Sequence, residues 1–308
     1  MRALGIARTT RVARARNRRR WQPHLDYRRR DVDRHLAELE RERREAGRPG
    51  GESGMRDGWL RDESRSLPHL RELLAEMEGV IEERGLQPWE AYGKPFIKDI
   101  LPGRSWERYP SILDFACSPE VLAPMARHAG FVPHLSGSQP PGVRLMESST
   151  KFDPRPDGPW RASQLWHLDY HAYPLIYVIV ALREIGPEDG PLHYLGEATS
   201  RRVAAALGYR SRRSPYRVTD EVMDEHIDPA EVMRFTGPAG TVLFIDSSTC
   251  FHLGSRRPSS PRYHLQYAYV SPVRNDFTDV LRPQAEFAVE GDAPLSRRLA
   301  LDRGLIER

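Results

Sequence analysis

Two histidines and one aspartate have the residue types and order of a metal site. His167 and Asp169 are two positions apart in a stretch that we expect to be extended, where alternate side chains share a face. His252 lies far along the chain, on a segment that could fold back beside them. Two His and one carboxylate on one face of a metal, with open positions opposite, are the ligands of non-haem Fe(II) oxygenases.

Structural interpretations of these residues also exist. His167 and Asp169 could form a buried hydrogen-bonded pair, and His252 could be a core histidine. His171 continues the alternation and could be an alternative ligand. We prefer a role for it in the pocket wall or in orienting a ligand, because ligating histidines usually need an orienting partner.

Composition and charge describe a chain able to bury a sizeable core in one or two domains. The formal net charge is +4, but residues 1–30 hold eleven Arg and a single acid, Asp26, so the rest of the chain is net acidic. Arg outnumbers Lys throughout, as a GC-rich coding sequence would give. This preference makes nucleic-acid binding a weak prediction from charge alone, and oligomeric state is left open.

Membrane and redox signals are sparse. Apolar runs all fall short of the roughly 18 residues that cross a membrane. Cys117 and Cys250 have no metal-like spacing, which favours unpaired thiols in a reducing cytoplasm. We therefore expect a cytoplasmic protein without a membrane partner.

The first fifty residues are predicted to form a basic, disordered arm (1–30) followed by a short helix at 31–46 and a Gly- and Ser-rich linker at 47–54. A polyanion-binding role for the arm is the alternative. That alternative predicts that deletion of residues 1–50 removes function, whereas a metal-dependent enzyme should keep its turnover largely unchanged. The predicted catalytic domain is 51–308.

Periodicity divides the remainder into an early helical part and a later extended part. Helices are predicted from Ser66 to Gly85, after Ser118 as N-cap, and at 196–209, with loops between 86 and 117 and a mobile lid at 210–237. Strands are predicted at 143–146, 164–170, 175–182, 191–195, 241–245 and 262–270. Several short strands with Pro and Gly turns favour a barrel or sandwich, so the fold class is mainly β with flanking helices.

Residues 110–273 resemble the phytanoyl-CoA dioxygenase (PhyH) family of Fe(II)/2-oxoglutarate oxygenases. The resemblance is carried by His167-Leu168-Asp169, the strand and Gly-Pro turn at 181–192, the segment 240–246 before His252, and Arg262, which follows about ten residues later. It implies a double-stranded β-helix (jelly-roll, cupin-like) core at about 140–273. Gly254 departs from the family, which often has a hydroxyl residue there.

The resemblance implies that His167, Asp169 and His252 hold Fe(II), that 2-oxoglutarate and O₂ occupy the open positions, and that Arg262 binds the far carboxylate of 2-oxoglutarate. A rigid two-pronged guanidinium suits that carboxylate better than Lys would. Because Asp169 occupies a position on iron, hydroxylation, desaturation or ring closure is favoured over halogenation.

Other co-substrate contacts are less defined by the sequence. Gln164, Tyr177 and Lys151 could bind co-substrate or substrate, or be purely structural. Arg256 and Arg257 are rivals for the role of Arg262, which could instead form a surface ion pair.

The expected function is oxidation of a small molecule, such as a secondary metabolite, coupled to decarboxylation of 2-oxoglutarate to succinate and CO₂. A cupin-like metal enzyme that does not use 2-oxoglutarate, and a non-catalytic protein that binds through the basic arm, are the alternatives. Arg144, Arg161, Arg183 and the segment 210–217 could attract an anionic substrate, although the Arg-rich composition weakens that inference.

Overall fold

The computed structural model describes residues 5–48, 54–85, 93–101, 103–138, 140–151, 153–210, 216–278 and 287–307. Residues 49–53 of the predicted linker and 211–215 of the predicted lid lie outside the described residues. No helix within the described ranges is long and apolar enough to cross a membrane.

Helices occupy mainly the first half of the chain, and strands the second half. The helices are α1 (Gly5–Arg30), α2 (Val32–Glu45), α3 (Leu70–Gly85), α4 (Ser111–Ala116), α5 (Pro119–Ala129), α6 (Glu197–Ala206), α7 (Asp220–Asp224) and α8 (Leu295–Leu301). The strands are β1 (Trp59–Asp62), β2 (Gly93–Lys94), β3 (Ile97–Asp99), β4 (His134–Leu135), β5 (Val143–Ser148), β6 (Leu175–Ala181), β7 (Leu192–Tyr194), β8 (Met233–Phe235), β9 (Val242–Asp246), β10 (His252–Leu253) and β11 (Arg262–Val270).

The strands form two antiparallel sheets of unequal size. The large sheet has the order β1-β9-β6-β11-β5-β3-β2, with β4 also paired to β11, and the small sheet has the order β10-β7-β8. The expected combination of antiparallel sheets and flanking helices is therefore confirmed, although more of the described residues are helical than extended. The double-stranded β-helix is a finer description and stays a proposal.

Alternation along the strands gives the large sheet two buried faces. On β6, Ile176, Val178 and Val180 belong to the main apolar cluster, which also contains residues of α2, α3, α4, α5 and α8. Ile179 and Ala181 belong instead to a cluster with residues of the small sheet. Because neighbouring side chains of a strand point to opposite faces, one strand serves both clusters.

The N-terminal arm is helical, so the expectation of disorder is wrong for residues 5–30. Arg is a good helix former, and one face of α1 packs on the protein. Ala13, Asn17, Leu25 and Arg28 are all buried, at close to four-residue spacing. The boundary at residue 50 stays a prediction.

Two further expectations differ from the structure. Residues 164–170 are not a strand but follow a 3₁₀ turn, Ala162–Gln164, and pair through single bridges: Trp166 to Val218 and His167 to His252. Each residue there bonds to a different segment, so no continuous ladder forms. The segment 86–117, expected to be loops, contains β3 and α4, and β3 extends the large sheet through β5.

Candidate metal centre

A cavity of about 470 Å³ lies between the two sheets. Ile179 and Ile245 of the large sheet line it, together with Leu192 and Phe235 of the small sheet. Polar side chains interrupt this apolar lining, among them His167, Asp169 and His252. An apolar pocket with a few convergent polar groups is the usual form of a small-molecule site.

The two histidines and the aspartate predicted from the sequence converge in this cavity. His167 and His252 exchange two backbone hydrogen bonds, of 3.1 and 3.0 Å, and Asp169 donates its N–H to the carbonyl of Ser247 at 2.8 Å. The Nε2 atoms of His167 and His252 lie 3.9 and 3.7 Å from the Asp169 carboxylate oxygens. One ligand atom from each of the three residues lies within 4.8 Å of the others, so the group could hold a metal ion.

The backbone fixes which nitrogen of each histidine faces the cluster. The Nδ1 of His167 is 2.9 Å from the carbonyl of Leu165, and the Nδ1 of His252 is 3.0 Å from the carbonyl of Cys250. A carbonyl only accepts, so each Nδ1 carries the proton and each neutral ring offers the lone pair of Nε2 to the cluster. This is the second contact that metal-ligating histidines usually make.

The local environment favours two neutral imidazoles and one ionised carboxylate. Burial lowers the pKa of His167 well below its ordinary value and also lowers that of His252. Burial would raise the pKa of Asp169, but the neighbouring His252 and His167 lower it overall. These are the protonation states that metal ligands need, and the set carries one negative charge toward a divalent cation.

Tyr177 lines the cavity near the Asp169 carboxylate. Burial, followed by the charge of Asp169, raises the pKa of Tyr177 well above its ordinary value. Tyr177 therefore keeps its proton beside the candidate metal ligand.

Arg262 opens β11 and lines the same cavity while being almost fully buried. Its Nη2 donates to the hydroxyl of Ser255 at 3.1 Å, whereas its Nε finds no partner among the described residues. Burial lowers its pKa to about 10, which still leaves it charged near neutral pH. A buried guanidinium without a carboxylate partner is costly and suits an anionic ligand.

The residues around Arg262 include contacts that the sequence did not single out. His264 lies two positions along β11, lines the cavity, and has an Nδ1 without a partner among the described residues. Its even spacing from Arg262 was the available signal. Ser255, one position after Gly254, supplies a hydroxyl to Arg262.

The rivals of Arg262 are engaged elsewhere. Arg256 pairs with both carboxylate oxygens of Asp220, at 2.8 and 2.9 Å. Arg257 donates to the backbone carbonyls of Pro156 and Gly158. Neither lines the cavity as the described residues define it.

The three remaining candidates, Gln164, Lys151 and His171, lie at different positions relative to the cavity. Gln164 is buried outside the cavity lining, where it donates to the carbonyl of Ser255 at 2.9 Å, so its contact with co-substrate is not supported. Lys151 is exposed and likewise outside the lining. His171 lines the cavity but pairs through Nδ1 with Asp276 at 2.7 Å, which fits a pocket wall better than a ligand.

No protein-family model and no curated protein sequence matches the chain. Several solved structures do. SnoK, a non-haem α-ketoglutarate-dependent carbocyclase from nogalamycin biosynthesis, is 18% identical with a TM-score of 0.43, over 76% of this chain and 90% of that one. EctD from S. alaskensis with 2-oxoglutarate and 5-hydroxyectoine is 15% identical, with a TM-score of 0.45, over 71% and 74%. HygX from Streptomyces hygroscopicus with nickel and 2-oxoglutarate bound is 14% identical, with a TM-score of 0.41, over 69% and 82%. Likeness at this level does not indicate what this chain acts on.

Proposed function

We propose that the protein is an Fe(II)- and 2-oxoglutarate-dependent oxygenase of the PhyH type with a double-stranded β-helix core. It oxidises a small molecule, such as a secondary metabolite, by hydroxylation, desaturation or ring closure. One observation carries the proposal: a single cavity holds the His167, Asp169 and His252 cluster together with buried Arg262, which has no carboxylate partner among the described residues.

The three clustered residues would hold the metal. Two neutral Nε2 atoms and one carboxylate would leave a divalent iron with one net positive charge, which suits an anionic chelator. When bound, Fe(II) would supply the activation of O₂, with 2-oxoglutarate as the reductant that becomes succinate and CO₂. Tyr177, which keeps its proton, would lie beside the Asp169 carboxylate.

Arg262 would anchor the carboxylate of 2-oxoglutarate that does not reach the metal. The Ser255 hydroxyl holds one guanidinium nitrogen, and the unpaired Nε is left for the ligand. Charge-assisted hydrogen bonds from a preorganised Arg are among the stronger polar contacts in proteins. The apolar lining by Ile179, Leu192 and Phe235 would limit water around the bound co-substrate.

The test is an anaerobic titration of the metal-free protein with Fe(II) and then 2-oxoglutarate, followed by the visible metal-to-ligand charge-transfer band. Wild type should develop the band, and His252→Ala should not. Arg262→Ala should need about 10- to 100-fold more 2-oxoglutarate, because it loses charge-assisted hydrogen bonds. Arg257→Ala is the matched control and should behave as wild type.

Other outcomes would point elsewhere. Iron binding without a band would exclude 2-oxoglutarate and favour a cupin-like metal enzyme. Absence of iron binding in wild type would refute the metal centre itself. If Arg262→Ala needed no more 2-oxoglutarate than wild type, Arg262 would not bind the co-substrate, and the assignment of the metal ligands would be unaffected.

A further inference from the structure

Three more cations line the cavity besides Arg262: Lys94, Arg144 and Arg217. Within the described part of the chain, none of them forms an ion pair with a carboxylate, and Arg144 Nε and Arg217 Nη1 are buried without a hydrogen-bond partner. Lys94 lies over the ring of Phe96, and Arg217 lies over the ring of Tyr216. We call Lys94, Arg144 and Arg217 the cation cluster.

The Arg-rich composition does not account for this cluster. Other arginines that the sequence suggested as anion sites have carboxylate partners: Arg161 pairs with Asp153, and Arg183 pairs with Glu78. Arg144 and Arg217 differ from them by lying in the cavity without such a partner. The charge of the cavity is therefore a local feature.

The cation cluster is distinct from the Arg262 end of the cavity. Arg262 on β11 pairs in register with Ser148 on β5, while Arg144 is four residues earlier on β5 and pairs with Gln266. Four strand residues correspond to about 13 Å along the sheet. A 2-oxoglutarate that joins Arg262 to the metal would therefore leave Arg144 without an anion.

Burial and mutual repulsion make the charged forms of these cations unfavourable. Burial, together with the charges of Arg217 and Arg144, lowers the pKa of Lys94 to about 8 against the opposing charge of Asp169. Asp99, beside Arg144 in the cavity, has a pKa raised to about 6 by its own burial, and even when ionised its single charge offsets only one of the three positive charges of the cluster. Like charges in a low-dielectric site repel one another unless an anion joins them.

We propose that the cation cluster binds the substrate through an anionic group, a carboxylate or a phosphoryl group, held mainly by Arg144 with Lys94 and Arg217. The role as a substrate site rests on the proposed function; anion binding at the cluster does not. The substrate is then a small anionic molecule whose oxidised part lies toward His167 and His252, with its anionic group at the far end of the sheet.

The test is calorimetric titration of inorganic phosphate and, separately, benzoate into protein loaded anaerobically with Fe(II) and saturating 2-oxoglutarate, at constant ionic strength. At least one of the two anions should bind to wild type, and the preferred one identifies the headgroup. Arg144→Gln should weaken that anion at least about tenfold, because a charge-assisted contact is lost, without changing the affinity for 2-oxoglutarate. Lys94→Gln should act in the same direction, and Arg144→Lys should recover part of the affinity.

Arg183→Gln is the matched control, since Arg183 pairs with Glu78 outside the cavity, and it should bind the anion as wild type does. Failure of both anions to bind wild type, or equal binding by Arg144→Gln and Lys94→Gln, would overturn the proposal. So would loss of the charge-transfer band on anion addition, which would place the anion on the metal or in the 2-oxoglutarate site. If the cluster binds the anion but 2-oxoglutarate never gives a band, the proposed oxygenase function fails while the anion site stands.

Discussion

The two faces of β11 are equally buried and chemically unlike. Leu265, Tyr267 and Tyr269 belong to the apolar cluster on the helical side of the large sheet. Arg262, His264 and Gln266 alternate with them and line the cavity. Burial alone therefore does not distinguish core from site. The cavity face holds the ionisable side chains of Arg262 and His264, each with a buried nitrogen that has no partner among the described residues, whereas the helical side has only the neutral Tyr267 hydroxyl in that state; the cavity face is therefore the one suited to a ligand.

Among variants that test the difference between the two faces, Leu265→Ala on the helical side should change the free energy of unfolding most. Leu265 is fully buried, so the lost contacts and the resulting void should lower the free energy of unfolding by about 2–5 kcal/mol. Fe(II) affinity of the folded protein should be unchanged. Urea unfolding and iron titration would check both.

Gln266→Ala, the neighbouring position on the cavity face, is the matched control. Its side chain borders open space, so we expect a change in unfolding free energy of less than about 1 kcal/mol. Equal destabilisation by the two variants would mean that both faces of β11 are ordinary core.

A pH-dependent effect should come from Asp99→Asn on the cavity face. The folded-state pKa of Asp99 is about 6, above the ordinary 3.8, because burial disfavours its charged form. The folded protein therefore holds this proton more tightly than the unfolded chain does. Protonated Asp99 stabilises the fold at low pH, and this contribution to the free energy of unfolding is lost as pH rises from about 4 to about 6. The amide has no charge to bury, so the variant should be more stable than wild type above pH 6, by up to about 3 kcal/mol.

Urea unfolding of wild type and Asp99→Asn at pH 4 and pH 8 would measure this difference. The relative advantage of the variant should be larger at pH 8. An advantage that did not change with pH would show that Asp99 is not titrating in this range.

The smallest effects should come from the two tyrosine hydroxyls on the helical side. The Tyr269 hydroxyl donates to the carbonyl of Ala116 at 2.6 Å, so Tyr269→Phe should cost about 1 kcal/mol of unfolding free energy. The Tyr267 hydroxyl has no partner among the described residues, so Tyr267→Phe should be neutral or stabilising. Urea unfolding of both variants would test the pair, and equal losses would contradict the difference.

Elements with strong periodicity were predicted well from the sequence. The predicted strand 262–270 coincides with β11, and the helix predicted at 31–46 is observed as Val32–Glu45. Ser118 precedes α5, and Pro119 occupies its first turn. In each case the pattern of apolar residues or the helix-start signal is local, so the sequence contains it.

Elements that depend on distant partners were predicted less well. The 164–170 segment alternates like a strand, yet its residues pair with three separate segments, at Val218, His252 and Ser247, and those partners are not visible in the sequence. The side chains of His167 and Asp169 nevertheless meet as the spacing suggested. Arg144 and the segment that contains Arg217 were named as possible anion sites, but the sequence could not separate them from Arg161 and Arg183, because whether an Arg has a carboxylate partner depends on the fold.

The helix α1 was not predicted because its many arginines obscured the helical spacing of its buried residues. Eleven Arg in thirty residues suggested a solvated arm, although Ala13, Asn17, Leu25 and Arg28 fall on one helical stripe. Two of these buried residues, Asn17 and Arg28, are polar, so a search for apolar residues at helical spacing does not find them.

Arg28 makes the N-terminal helix a structural tie between distant parts of the chain. Its guanidinium donates to the carbonyls of Val132, Leu299 and Asp302, at 2.7, 2.8 and 2.5 Å. Asn17 likewise donates to the carbonyls of Arg274 and Asp276, and Asp276 holds His171 in the cavity wall. A chain shortened to begin after residue 30 would leave buried carbonyls unsatisfied at α8 and loosen one wall of the cavity, so removal of the basic segment would alter the proposed binding site.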